Sequence, residues 1–139
     1  MSLLTWLMLW LLPVAPQTLN LTISTSVEKA GNLHLAVYDC DEGFVSRKEV
    51  VSLVRPTSGQ PISLEVQLPA SGDYVLAAFH DLNGNGELDT NLFGAPTEPY
   101  GFSKEPPSKW REPRFGEIAT TVAPGSGLIK IELKKWKEY

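Results

Sequence analysis

Asp81, Asn83 and Asn85 set carboxylate and amide oxygens at alternate residues, and Gly86 follows them. A short loop with that spacing can wrap its oxygens round one hard cation, for which Ca²⁺ is the natural candidate. In the frame of a twelve-residue calcium loop, Asp81, Asn83 and Asn85 fill positions 1, 3 and 5. Gly86 fills position 6, Glu87 offers its backbone carbonyl at 7, and Asp89 stands at 9. Position 12 is Leu92, where a bidentate Glu normally completes the shell. Glu98 is the best nearby substitute and Asn91 the second. The expected metal ligands are therefore Asp81, Asn83, Asn85, Glu87, Asp89 and Glu98, with a dissociation constant of order 10⁻⁴–10⁻³ M. The same residue types also build turns without metal, because Asn, Asp and Gly tolerate left-handed backbone and hydrogen-bond it locally. Asn83-Gly84-Asn85-Gly86 reads as such a turn too.

Other chemistry is sparse. The histidines are His34 and His80, in no metal-ligand spacing, and no framed serine or cysteine nucleophile is present. His80 beside Asp81 has the chemistry of a general base or a transition-metal ligand. A packed histidine orienting the loop is the simpler role. Asp81, Asp89 and Glu98 include the carboxylate pairs that glycoside cleavage uses. Trp110 and Trp136, however, stand apart in sequence and form no visible stacking array. Cys40 is the only cysteine, so no intramolecular disulfide forms. It reads as a half-buried thiol at a strand end. No catalytic residue is assigned, and the reading leans away from an enzyme.

The elements that must carry the loop show a period of two. Leu19, Leu21 and Ile23 alternate with polar residues, as do Leu33, Leu35 and Val37, and Ile62, Leu64, Val66 and Leu68. Residues 74–80 are apolar on both faces and read as a central strand that delivers His80 and Asp81 at its end. Residues 128–133 give a last strand and 117–122 a further candidate. Residues 46–53 fit a helical turn or a short strand. The strands near 18–28 and 31–38 read as a hairpin. Gly, Pro, Ser and Asn clusters separate the runs. The expected fold is all-β: an antiparallel β-sandwich, immunoglobulin-like or transthyretin-like, with six to seven strands and one long irregular loop from about 82 to 116.

The charge is mildly acidic at −4, which argues against nucleic-acid binding. No Lys or Arg lies between Pro56 and Ser103, whereas basic residues gather at 104–114 and 130–137. That local acidic field attracts cations. Residues 3–12 are almost wholly apolar, too few to span a bilayer, which takes about 20 residues. They match the apolar part of a signal peptide. The expected organisation is a leader over 1–17 and one domain over 18–139, located in the periplasm or secreted. No stable membrane span is expected in the mature chain.

The stretch from His80-Asp81 through Asn83, Asn85-Gly86 and Leu88-Asp89-Thr90-Asn91 closely resembles the bacterial DUF2141 family. So does the run Gly94, Pro96, Glu98 and Tyr100-Gly101-Phe102-Ser103 after it. The likeness extends to Gly31 and Leu33 through Tyr38, to Pro69, Gly72 and Tyr74, and to Pro113 and Phe115. It implies an exported β-sandwich and brings no established activity, substrate or catalytic residue. Leu82 departs from the family pattern, as does the charged, proline-rich run Lys104-Glu105-Pro106-Pro107, which puts that loop's shape in question. Tyr100 and Phe102 have the bulk to pin the loop onto the sandwich, or with Trp110 to line a shallow groove.

The expected function is a binding or envelope-structural module with a Ca²⁺-type site in loop 81–98, partnered by an envelope protein or a glycan. The alternatives are a metal-dependent hydrolase using His80, Asp81 and Glu98, and a purely structural domain whose loop is a metal-free turn.

Overall fold

The computed structural model describes residues 14–139. Residues 1–13 of the expected leader lie outside the described residues, and Gln17 already belongs to the first strand. The chain runs β1 (Gln17–Thr25), β2 (Gly31–Tyr38), α1 (Asp41–Val45), β3 (Val51–Thr57), β4 (Ile62–Leu68) and β5 (Gly72–Asp81). After a long excursion come β6 (Tyr100–Phe102), α2 (Phe115–Ile118), β7 (Thr120–Val122), β8 (Ile129–Leu133) and a 3₁₀ turn at Trp136–Glu138.

Two sheets face each other. One has the order β4-β1-β8; the other has the order β3-β2-β5-β6, with β7 also paired to β5. All ladders are antiparallel except β1–β8, which is parallel. The all-β sandwich expected from period-two patterning is therefore the fold that forms. Among the described residues its strands number eight: β7 forms inside the 117–122 candidate, whereas β6, three residues long, is too short to show a period.

Alternation places the core. Leu19, Leu21 and Ile23 of β1 pack against the opposite sheet, where Leu33, Leu35 and Val37 of β2 and Leu76 and Ala78 of β5 point inward. Full burial of a Leu or Ile side chain contributes about 1.5–3 kcal/mol, so this layer carries much of the fold's stability. The hairpin expected for the first two strands does not form. β1 pairs with β4 and β8, while β2 pairs with β3 and β5. Their apolar faces meet across the core rather than side by side, an arrangement that the same alternation allows.

A second apolar layer lies on the outer face of the five-stranded sheet. Tyr38 and Val75 of the sheet are buried together with Phe44 of α1 and Ile118 of α2. This cover explains why β5 is apolar on both faces. Cys40 is exposed, contrary to the expected half-buried thiol. β2 has already ended at Tyr38, and Cys40 serves as the N-cap of α1, its Sγ accepting the Gly43 N–H at 3.4 Å.

One flank of the sandwich is stitched shut. Tyr100 of β6 and Lys134, just after β8, exchange two backbone hydrogen bonds of 3.0 Å and so join the two sheets. Gly101 makes that approach possible, since a Cβ there would sit 2.6 Å from the Glu132 carbonyl oxygen.

Candidate functional site

β5 delivers His80 and Asp81 to one end of the sandwich, and because neighbours on a strand point to opposite faces they part company. His80 turns inward with 0% exposure, its Nδ1 3.1 Å from Thr25 Oγ1. Burial pushes its pKa below the usual histidine value, while the Glu98 charge, the Lys29 backbone and the Asp81 charge pull the other way. Asp81 turns to the outer face yet is also fully buried. There its Oδ2 stands 3.3 Å from His34 Nε2.

Asp81 organises the loop that follows it. Its Oδ1 accepts the Gly84 N–H and its Oδ2 the Gly86 N–H, both at 2.8 Å. Gly84 and Gly86 have φ of +74° and +78°, backbone that other residues resist. Burial raises the Asp81 pKa, but the two N–H donors and His34 outweigh it and hold the carboxyl below its ordinary value. Glu98 is buried too and clips the loop's ends, its two carboxylate oxygens accepting Leu82 N–H at 2.8 Å and Asp89 N–H at 3.2 Å.

The remaining loop residues lie nearer solvent. Asn83 and Asn85 donate their side-chain N–H groups to the Asp89 carboxylate at 2.5 and 2.6 Å. Their Oδ1 atoms accept the N–H groups of Asn85 and Glu87 at 3.2 and 3.0 Å. The Glu87 side chain is exposed. Every oxygen of Asp81, Asp89 and Glu98 thus accepts an N–H of the loop. Among the described residues no three His, Cys, Asp or Glu side chains converge as an ion-holding group. The loop is a hydrogen-bonded wall resting on two buried carboxylates.

Beyond Asp89 the wall continues to an exposed tip. The Asn91 Oδ1 accepts the N–H groups of Phe93 at 2.9 Å and Ala95 at 3.1 Å, and a Thr90–Pro96 bridge closes the turn. Leu92 and Phe93 are 101% and 94% exposed at this tip, although both are large and apolar.

This wall borders a groove of about 1090 Å³ over the outer face of the five-stranded sheet. Its floor includes Ala36 and Ala77, which face each other across β2 and β5, and the rings of His34 and Phe79, stacked at 4.6 Å. The segment before α2 also lines it. There Trp110 is 78% exposed and meets Trp136 edge to face at 5.0 Å. The two tryptophans that stand apart in sequence are therefore neighbours, brought together because the 3₁₀ turn folds back beneath residues 109–110. Trp136 Nε1 donates to the Lys109 carbonyl at 3.1 Å, and Lys109 Nζ donates to the Tyr139 carbonyl at 2.9 Å.

Tyr100, Phe102 and Trp110 all line the groove, and Tyr100 and Phe102 also pin β6 onto the fold. Sequence reasoning missed His34, Phe93 and Arg47, which line it as well. The signal for His34 was its outward register on β2; Phe93 had no signal beyond an apolar residue in a polar loop.

The chain is therefore a two-sheet β-sandwich with a long groove-bordering loop clipped by buried carboxylates. It belongs to the family described as "Uncharacterized protein conserved in bacteria (DUF2141)", whose model matches residues 21–130. No curated protein and no solved structure matches it.

Proposed function

We propose that this chain is an exported binding module that takes its ligand in the groove over the outer face of the five-stranded sheet. The observation that carries this reading is the groove itself, with its floor on paired strands and large apolar side chains unburied on its rims. Ligand sites are concave, mostly apolar and largely preformed, and exposed apolar groups of this size mark interaction surfaces. Export to the periplasm or beyond is part of the proposal, supported by the apolar run at residues 3–12. Among the described residues, no helix is long and apolar enough to cross a membrane.

The hydrolase alternative is disfavoured by position. His80 is sealed inside the sandwich, and the carboxylates of Asp81 and Glu98 are engaged by backbone N–H groups. Turnover of an ester, phosphate or glycoside panel that is lost in His80→Ala with the fold intact would revive it. The binding reading is tested by NMR titration of the labelled protein with a ligand library. Shifts should gather at Ala36, Ala77, Phe79 and Trp110. Hits whose shifts scatter over the surface, or fall on the three-stranded sheet, would sink it.

A second reading concerns the wall. Asn83 and Asn85 converge on one carboxylate; an amide that turns over presents its oxygen there instead, at the cost of the bond its Oδ1 now accepts from the Asn85 or Glu87 N–H. The two amide and two carboxylate oxygens so gathered repel one another unless a cation lies between them. We therefore propose that the 81–98 loop takes Ca²⁺ weakly and that the ion stiffens the wall of the groove.

A further inference from the structure

We infer that the groove takes a neutral oligosaccharide, laid against the Phe93 and Trp110 rings; this rests on the binding-module reading above. Three observations converge on that class.

The first is charge. The cationic side chains around the groove are already engaged. Arg47 pairs with Glu112, and Arg111 grips the Glu117 carboxylate with two bonds of 2.9 and 2.6 Å. Lys109 is bonded to the Tyr139 carbonyl and sits 4.5 Å from the Trp136 ring centre. These pairings leave no uncompensated cation in the lining to select an anion, and Glu49, which also lines the groove, would repel one. A ligand complementary to this lining carries no net charge.

The second is the presence of rings. Phe93, on the loop wall, and Trp110, on the segment before α2, both line the groove and are both mostly exposed. The Asn91-capped turn fixes the backbone at Phe93, and Trp110 meets the edge of Trp136. The C–H-bearing face of a pyranose packs flat on an aromatic ring, where the ring's negative face meets its polarised hydrogens. The lining also carries uncharged donors and acceptors, among them Ser52, Thr90, Asn91 and Ser108, which suit hydroxyl groups.

The third is what the floor withholds. An extended peptide binds a sheet by adding to a free edge. Here β2 lies between β3 and β5, and β5 lies between β2 and β6, so the floor's backbone groups already have partners. A sugar chain needs no backbone ladder.

Trp110 and Trp136 flank the groove, so their emission reports on occupancy. The purified protein is titrated with neutral hexose oligomers of several linkages, and with uronate and sulfated oligomers as the charged arm. A neutral oligomer should bind, with Phe93→Ala and Trp110→Ala each weakening it by about tenfold or more. Both residues are exposed, so circular dichroism should be unchanged. Raising NaCl from about 0.05 to 0.5 M should leave affinity within about twofold. Neutral binding untouched by both variants puts the sugar elsewhere and overturns the inference. Binding of the charged oligomers alone, with steep salt dependence, overturns neutrality. If no sugar binds but an apolar fluorophore enters the groove and is lost in the Phe93→Ala/Trp110→Ala double variant, the saccharide assignment fails and the binding module stands. If neither binds, both fail.

Discussion

The His34 imidazole, lying flat on Phe79 in the groove floor, stands 3.3 Å from the Asp81 carboxylate that anchors the groove wall. Floor and wall are thus joined through one buried acid. Any change at Asp81 is felt on both.

Replacing that acid should be costly. Asp81→Ala leaves the Gly84 and Gly86 N–H groups without their acceptor and removes a buried partner from His34. A loss of about 3 kcal/mol is expected by urea unfolding, with Asp81→Asn losing less because it keeps one oxygen. A change under about 0.5 kcal/mol would mean that the wall does not depend on this residue.

Acid should destabilise the fold in two stages. His80 has its folded pKa depressed below the ordinary 6.5, so the unfolded chain takes up the proton first. The stability it contributes is full above pH 6.5 and is lost as pH falls below that value. Asp81 is depressed below its ordinary 3.8, so its contribution holds above that value and is lost as pH falls further, through its folded pKa. Thermal melts from pH 8 to pH 3 should show both limbs, and His80→Gln should remove only the upper one. Stability that rises between pH 7 and 5 would contradict the sign.

Calcium should act on the wall alone. After chelation, Ca²⁺ at about 100 times its dissociation constant is expected to add roughly 2.7 kcal/mol, several degrees in Tm. Mg²⁺ should do less, because it demands a tighter octahedral shell. Asp89→Ala is the clean control, since Asp89 lies nearer solvent than Asp81 and its loss spares the buried anchor. An unchanged Tm up to about 10 mM Ca²⁺ would leave the wall a purely hydrogen-bonded turn.

Gly101→Ala should unpick the closed flank. Its Cβ would press on the Glu132 carbonyl at 2.6 Å, and relief requires β6 to move from β8. About 1–3 kcal/mol should be lost. Amide exchange should quicken at Tyr100 and Lys134, the residues whose backbone bonds join the sheets.

Much of this fold was legible because alternation is a local signal. Leu19, Leu21 and Ile23 announce an inward face wherever their strand pairs. Which strand pairs with which is not local, so β1 and β2 read as a hairpin although they lie in different sheets. The loop was legible as a cluster of oxygens, but their partners were not. Glu98 reaches back 16 residues to the Leu82 N–H, and a spacing argument has no access to that fold-back. The groove was the least legible part. Trp110 and Trp136 meet only because the chain end returns under residues 109–110, and His34 looked like the solvated face of a strand.

The Tyr100–Lys134 stitch also decides where the sandwich is open to other chains. With that flank closed, the long strands left at the sheet ends with one edge unpaired among the described residues are β3 and β4. An open edge invites strand addition and aggregation, and natural sheets blunt such edges with charge and proline. β3 carries Arg55 and Pro56, and β4 carries Glu65, all of them exposed. Self-association by strand pairing is thereby steered to two guarded edges. Those edges are the place to add charge when the protein must be kept monomeric at high concentration.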